Sequence, residues 1–153
     1  QPEDVLYYLT LYNENYAMPA RPDGVSDADI ARGLYRFRGA PEVASSGGNG
    51  RKAHEPLQVT LLGGGSIMQQ ALRAQQLLAD RGVAAEVWSA TSYQLLRNEA
   101  LETMRWNVLH PDEPVRVPLV SQLLAGPAQR GPIVAVSDFA LIAALFRISV
   151  PML

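Results

Sequence analysis

Residues 57–90 settle the architecture, and they read LQVTLLGGGSIMQQALRAQQLLADRGVAAEVWSA. Leu57–Leu62 is a short apolar run typical of a buried strand, and the glycines at 63–65 predict a turn. Val83–Ala90 has the composition of a second buried strand. A strand, a turn, a helix and a strand within this length form a βαβ unit. We expect its two strands to be parallel, with a right-handed crossover.

The helix of this unit is predicted to begin at Ser66, as its N-terminal cap, and to continue to about Arg81. Gly82 is expected to end it, because glycine adopts the left-handed conformation that closes many helices. Apolar residues recur along the helix at spacings of three and four, which gives one face that can pack on a sheet. These residues are Ile67, Ala71, Ala74 and Leu78.

Further elements follow the βαβ unit. Thr91 or Ser92 can cap a helix that runs from Tyr93 to about Met104. A proline-rich connection, residues 110–118, leads to a short predicted helix. Together these elements predict an α/β protein of three layers, with a mainly parallel sheet flanked by helices. The remaining downstream elements are the short helix Leu119–Leu124, the strand Ile133–Val136 and the helix Phe139–Ile148.

The segment before the βαβ unit carries a helix and a strand. Ser26 and Asp29 have the spacing of a capping box, in which the two residues bond each other's backbone N–H groups. Gly33 should stop this helix after about two turns. Leu34–Arg38 alternates apolar and basic residues, which is typical of a half-exposed edge strand. Residues 39–56 are rich in Gly, Ser and Ala, and we expect a mobile loop.

The N-terminal residues have a different character. Val5–Tyr12 is a continuous apolar and aromatic run, which favours a strand buried on both faces. Residues 13–24 are polar and interrupted by prolines, as in a turn or linker. We therefore expect residues 1–18 to be the last strand of a preceding domain plus a linker. Residues 19–153 would then be the α/β domain, truncated at its C-terminal end.

Composition excludes several classes of protein. The 153 residues include 13 basic and 15 acidic side chains, a formal charge of −2, and no cysteine. This balance argues against nucleic-acid binding, which depends on clustered Lys and Arg. The lack of cysteine excludes disulfides, zinc–thiolate sites and thiol nucleophiles, and it fits a reducing cytoplasm. No targeting segment is recognised, and the apolar run 139–146 is far too short to span a membrane.

The glycine-rich turn, Gly63–Ser66, is the first candidate site. Backbone N–H groups and a helix N-terminus can hold a phosphate at such a turn. The sequence matches neither the dinucleotide-binding pattern, which needs glycine where Met68 stands, nor a P-loop. We favour the interpretation that these glycines allow a tight turn and close helix packing.

Few other side chains suggest chemistry. His54 lies in the predicted loop and is expected to be solvated. His110, with Arg116 six residues later, could bind an anion or act as a base. We favour a hydrogen-bonded structural histidine that holds the irregular connection. Glu99 and Glu102 lie three residues apart on a predicted helix, where they indicate a solvated face rather than an acid–base pair.

Several segments together resemble one known family, the homodimeric bacterial pyruvate dehydrogenase component, a thiamine-diphosphate-dependent decarboxylase. The resemblance covers nearly the whole chain and is weakest across residues 39–56. The matching segments are YYLTLYNENYAMP at 7–19, LLGGGSI at 61–67, RWNVLHP at 105–111, VRVP at 115–118 and VSDF at 136–139. The chain departs from the family at Ala17, where the family often has histidine. Any role of that histidine is therefore not carried over to this chain.

The resemblance implies a function for the parent protein. The family decarboxylates pyruvate and passes the acetyl group to the lipoyl group of an acetyltransferase partner. Its thiamine diphosphate and magnesium are held by domains that precede the C-terminal, transketolase-like domain. The resemblance therefore implies no catalytic, cofactor-binding or metal-binding residue in this chain, and a role in homodimer assembly. The alternative is a non-catalytic binding or assembly module with the same fold.

Overall fold

The computed structural model describes residues 4, 6, 15–43, 56–125 and 131–137. Within these ranges, helices lie on both faces of a sheet whose strand order is β1-β3-β2-β4. The strands are β1 (Leu34–Arg38), β2 (Leu57–Gly63), β3 (Val83–Ala90) and β4 (Ile133–Ala135). The helices are α1 (Asp27–Ala31), α2 (Met68–Ala79), α3 (Tyr93–Leu109) and α4 (Leu119–Leu124), and a 3-10 turn (Gly65–Ile67) precedes α2.

The predicted βαβ unit is confirmed. Strand β2 pairs in parallel with β3, and Leu61 lies opposite Val87 in this pairing. On its other edge β2 pairs in parallel with β4, where Leu61 lies opposite Val134. Strand β1 pairs antiparallel with β3 and has a register irregularity after Arg36. The sheet is thus mainly parallel, with β1 as its antiparallel edge.

Two hydrophobic clusters, one on each face of the sheet, make the fold three layers deep. Successive side chains of a strand point to opposite faces, so the adjacent residues Leu61 and Leu62 enter different clusters. The first cluster joins Leu62 to α3 and α4 and contains Leu34, Leu62, Trp88, Ala90, Leu96, Val120 and Leu124. The second joins Leu61 to α2 and contains Leu61, Met68, Ala71, Ala85 and Val87. This confirms the predicted three-layer α/β architecture.

Helix α1 begins and ends as its sequence predicts. The Asp29 backbone N–H donates to Ser26 Oγ at 3.2 Å, and the Ser26 backbone N–H donates to Asp29 Oδ2 at 2.9 Å. These two bonds form the predicted capping box. Gly33 has φ +96°, and its carbonyl accepts the Thr91 backbone N–H at 3.0 Å. The left-handed glycine therefore ends α1 and joins it to the end of β3.

The start of α2 differs from the prediction. Ser66 does not cap the helix but lies inside the 3-10 turn, and α2 begins at Met68. Its buried residues are Met68, Ala71 and Gln75. Gln75 is buried because its Nε2 donates to the carbonyls of Gly39, at 2.9 Å, and Ala85, at 2.7 Å. Gln75 thus joins the core-facing side of α2 beside Ala74 and Leu78, which are half-buried and pack against the second cluster as predicted.

Helix α3 is longer than predicted. Ser92 caps it, since its Oγ accepts the Leu95 backbone N–H at 3.2 Å, and the helix continues to Leu109 rather than Met104. The alternative cap, Thr91, instead donates its hydroxyl to the Ile30 carbonyl at 2.7 Å.

Some predictions concern residues beyond the described ranges. They are the strand Val5–Tyr12 (apart from Leu6), most of the loop 39–56, and the helix Phe139–Ile148. Where the structure does describe the chain, it contains no helix that combines the length and the apolar character needed to cross a membrane.

Candidate functional site

The glycine-rich turn packs closely against neighbouring elements at Gly63 and Gly64. A Cβ atom added at Gly64 would lie 2.3 Å from the Ala90 carbonyl oxygen, well inside contact distance. At Gly63 an added Cβ would lie 3.3 Å from the Ala71 Cβ. Gly63 therefore allows the end of β2 to approach α2, and Gly64 allows the turn to approach the end of β3. The geometry supports the packing interpretation of this turn over phosphate binding.

Tyr93 closes the region beside this turn. Its hydroxyl donates to the Val136 carbonyl at 3.3 Å, which ties the start of α3 to the residue after β4. Burial raises the pKa of the Tyr93 hydroxyl to about 12. This high pKa keeps the hydroxyl protonated near neutrality, so Tyr93 acts here as a hydrogen-bond donor.

We tested whether these residues fit thiamine diphosphate and a divalent metal, the groups that the resemblance implies. Hard cations such as Mg²⁺ require several oxygen ligands at one place, and no group of three or more Asp, Glu or His side chains gathers within the described ranges. On one side of the glycine-rich turn, the Ala90 carbonyl oxygen lies 2.3 Å from the place that a Cβ at Gly64 would take. The described residues therefore offer no set of oxygen ligands that fits the metal.

His110 and Arg116 come together on the ring of Trp106. The His110 ring stacks on Trp106 with centroids 4.5 Å apart, and Arg116 Cζ lies 3.5 Å from the Trp106 ring centroid. His110 Nδ1 lies 2.9 Å from the Trp106 carbonyl oxygen. Because a carbonyl oxygen can only accept, Nδ1 carries the proton. His110 thus satisfies a carbonyl at the end of α3, which supports the structural role favoured from the sequence.

The Asn107 side chain binds the backbone of the same connection. Its side-chain amide donates to the Arg116 carbonyl and accepts the Arg116 backbone N–H, both at 2.9 Å. This pair of bonds folds residues 110–118 back along the end of α3. The RWNVLHP and VRVP segments therefore form one structural unit. Its polar groups bind one another and hold the connection against the end of α3. His54 lies outside the described residues.

Glu99 has a role that sequence reasoning missed. Its Oε2 accepts the Leu119 backbone N–H at 2.9 Å, and its Oε1 accepts the Thr103 hydroxyl at 3.1 Å. Glu99 is half-buried and binds the first residue of α4, whereas Glu102 is exposed. The prediction of a solvated pair was wrong for Glu99. A long-range cap from a residue twenty positions earlier leaves no local pattern in the sequence.

The outer side of α3 presents apolar side chains to solvent. Val108 is 80% exposed and Met104 is 58% exposed, although both belong to a well-formed helix. We name this the α3 surface; it consists of Leu101, Met104, Val108 and Leu109. Leu101, Met104 and Val108 follow helical spacing, so they form one stripe. Exposed apolar side chains that adjoin one another in this way make the α3 surface a candidate contact surface.

The α3 surface was also missed from the sequence, for a physical reason. Helix α3 has apolar residues on two sides, and only the packing of Leu96 and Ala100 shows which side faces the sheet. The signal was present as an excess of apolar residues in the second half of the helix. Its meaning depended on the tertiary structure.

The family and its relatives agree with this architecture. The model of the transketolase-like TK C-terminal domain family matches residues 49–141. The pyruvate dehydrogenase E1 component of Mycolicibacterium smegmatis is 41% identical over 139 residues, which cover 90% of this chain and 14% of that protein. The protein of the same name from Escherichia coli (strain K12) is 38% identical over 138 residues, again 90% of this chain and 14% of the relative.

A third relative shows similar identity and coverage. The pyruvate dehydrogenase E1 component of Haemophilus influenzae is 44% identical over 124 residues, or 80% of this chain and 13% of that protein. The chain thus spans only about one seventh of the length of the relatives it matches. The family model, the three-layer fold and the parallel order β3-β2-β4 agree, and the chain belongs to the transketolase-like C-terminal domain family.

Proposed function

We propose that this chain is the C-terminal domain of a pyruvate dehydrogenase that decarboxylates pyruvate and acetylates the lipoyl group of an acetyltransferase partner. The observation that carries the proposal is the 41% identity to a pyruvate dehydrogenase E1 component over 90% of this chain. Function does not follow from fold alone. The proposal therefore depends on this extended similarity and not on the α/β architecture.

Within the parent enzyme the domain has a structural and assembling role. Thiamine diphosphate and magnesium bind in other parts of the parent, which is a cytoplasmic homodimer. One feature supports this role: the α3 surface leaves large apolar side chains exposed. The domain contributes contacts, while the reacting groups belong to the rest of the enzyme.

In the proposed domain organisation, residues 1–18 are the end of a preceding domain plus a linker, and one hydrogen bond joins that linker to the α/β domain. Gln69 Nε2 in α2 donates to the Ala17 carbonyl at 2.7 Å. This bond fixes the last linker residues to the domain that begins at 19. A linker fixed in this way would transmit the position of the α/β domain to the domain before it.

A domain exchange tests the proposal. Residues 19–153 would replace the aligned segment of the Mycolicibacterium smegmatis relative, and pyruvate-dependent acetylation of its lipoyl partner would be measured. We expect the chimera to assemble and to retain activity, because the two chains are 41% identical over 139 residues. The Leu62→Asp variant of the chimera should lose activity, since it places a charge in a buried cluster.

The alternative function predicts the opposite result. If the chain is an independent binding or assembly module, the chimera folds but fails to acetylate the lipoyl group. A folded, correctly assembled and inactive chimera would contradict the proposal. Circular dichroism and sedimentation of the chimera separate that outcome from simple misfolding.

A further inference from the structure

We propose that Gln69 is a positioning residue that holds the linker against the first turn of α2, so that the linker and the α/β domain move as one body. We name residues 17–27 the braced segment. It runs from the end of the linker to the first residue of α1. The inference deepens the proposed function and rests on it in one respect, the presence of a domain before the linker.

The braced segment is tied to α2 at its start. Gln69 Nε2 donates to the Ala17 carbonyl at 2.7 Å, and the two residues lie 52 positions apart in the sequence. Gln69 is the second residue of α2, a helix whose nearby residues Met68 and Ala71 are buried in the second hydrophobic cluster. Because this part of α2 is packed on the sheet, the bond fixes Ala17 relative to the sheet.

The braced segment is tied to α1 at its end. The Arg21 guanidinium pairs with the Asp27 carboxylate, at the first residue of α1. Between them the Val25 backbone N–H donates to the Pro22 carbonyl at 3.3 Å. Gly24, at φ +82°, supplies the left-handed residue that a type II turn requires two positions after its first residue. The chain thus turns once and then enters α1 in a fixed direction.

The backbone between these contacts has little freedom. Proline fixes its own φ, and it restricts the residue before it to extended conformations. Pro19 and Pro22 therefore restrict Met18 and Arg21 as well as themselves. Flexible linkers are instead rich in glycine and serine. A segment with a contact at each end and restricted residues between them transmits the orientation of one domain to the next.

The contact with Gln69 is modest in strength because it lies at the surface. Ala17 is exposed, so water competes for its carbonyl. A hydrogen bond of this kind changes a conformational equilibrium by about two- to tenfold. The held arrangement should therefore be the major one in solution. The smaller mobile fraction should increase by the same factor when residue 69 cannot donate.

The lack of cysteine allows a single spin label to be placed beside this bond. Met18 is 69% exposed and follows Ala17, so the Met18→Cys variant of the 153-residue chain can carry a nitroxide there. The electron paramagnetic resonance spectrum separates held labels from mobile ones. Gln69→Glu keeps the size of the side chain, but an ionised carboxylate only accepts hydrogen bonds. We expect the ratio of mobile to held label to rise about two- to tenfold in this variant.

Two further variants separate the bond from the stability of α2. Gln70→Glu is the matched control, because it brings the same change of charge at an exposed residue that lies about 100° further round the helix. It should leave the label held. Gln69→Arg restores a donor and should return the mobile label to its original level.

Urea melts of the two Gln69 variants give a readout that a merely structural role would not match. An acidic residue stabilises the first turn of a helix, and a basic residue destabilises it. Gln69→Glu should therefore be the more stable of the two variants, although its linker is the more mobile one. Linker mobility and chain stability thus change in opposite directions.

Three results would overturn the inference: equal mobile fractions with and without Gln69→Glu, an equal rise for Gln70→Glu, or a Gln69→Arg variant that stays as mobile as Gln69→Glu. Each would mean that Gln69 does not hold the linker. The measurement uses this chain alone, so it is independent of the domain exchange. An active chimera with a mobile label removes only this inference, and a held label with an inactive chimera removes only the proposed enzyme.

Discussion

At the scale of single residues, Gly64 marks the tightest contact of the βαβ unit. Its φ of −152° is extended, so any side chain can adopt this backbone, and only the Ala90 carbonyl 2.3 Å from an added Cβ forbids one. Gly64→Ala should therefore lower the free energy of unfolding by about 1–3 kcal/mol, the usual cost of overpacking. Urea denaturation followed by circular dichroism measures this change.

Gly39→Ala is the matched control for this prediction. An added Cβ at Gly39 would meet the Arg36 guanidinium, the end of a flexible exposed side chain. This substitution should change the free energy of unfolding by less than about 0.5 kcal/mol. Equal costs at the two positions would mean that Ala90 can move away from the turn, and the packing account of the glycines would be wrong.

Tyr93 should make the stability of the folded chain depend on pH in alkaline solution. Its pKa is raised from 10.0 to about 12 by burial. A raised pKa in the folded state means that the folded chain holds this proton more tightly, so the stability it contributes is complete below pH 10 and is lost as the pH rises toward 12. Tyr93→Phe should therefore flatten the loss of stability between pH 10 and 12 in urea melts. An unchanged slope would show that the hydroxyl is not buried.

At the scale of elements, two adjacent residues of β2 test the three-layer architecture. Leu61 packs against α2 and Leu62 packs against α3 and α4. Replacing either by alanine should cost about 2–5 kcal/mol of stability, because each leaves a cavity in a different cluster. Leu57→Ala, in the same strand but 75% exposed, should cost less than about 0.5 kcal/mol. A large loss at only one of Leu61 and Leu62 would indicate a sheet covered on a single face.

These elements also show which features the sequence can predict. Strand β2 and the cap of α1 were predictable, because their signals are an apolar run and a local hydrogen-bond spacing. The start of α2 was not, since the 3-10 turn at Gly65–Ile67 takes the place of a Ser66 cap. The Glu99 cap of α4 was also missed, because it joins residues twenty positions apart. Local patterns fix elements, whereas contacts between elements decide which polar residues are buried.

At the scale of the whole molecule, the candidate site follows the same rule. The pairing of His110 with Arg116 was suggested by their spacing, but the Trp106 ring that joins them and the Asn107 clamp needed the folded connection. The exposed α3 surface could be recognised only once Leu96 and Ala100 showed which side of the helix is buried. The described parts of the chain thus present an exposed apolar surface on α3 and a glycine-rich turn packed against the Ala90 carbonyl.

We propose that this chain assembles an enzyme whose cofactor binds elsewhere, and calorimetric titration with thiamine diphosphate and magnesium is the decisive experiment. The chain alone should give no heat beyond that of dilution, whereas the chimera with the Mycolicibacterium smegmatis relative should bind both. Saturable binding to the chain alone with a micromolar Kd, about −8 kcal/mol, would place the cofactor site in these 153 residues and contradict the account.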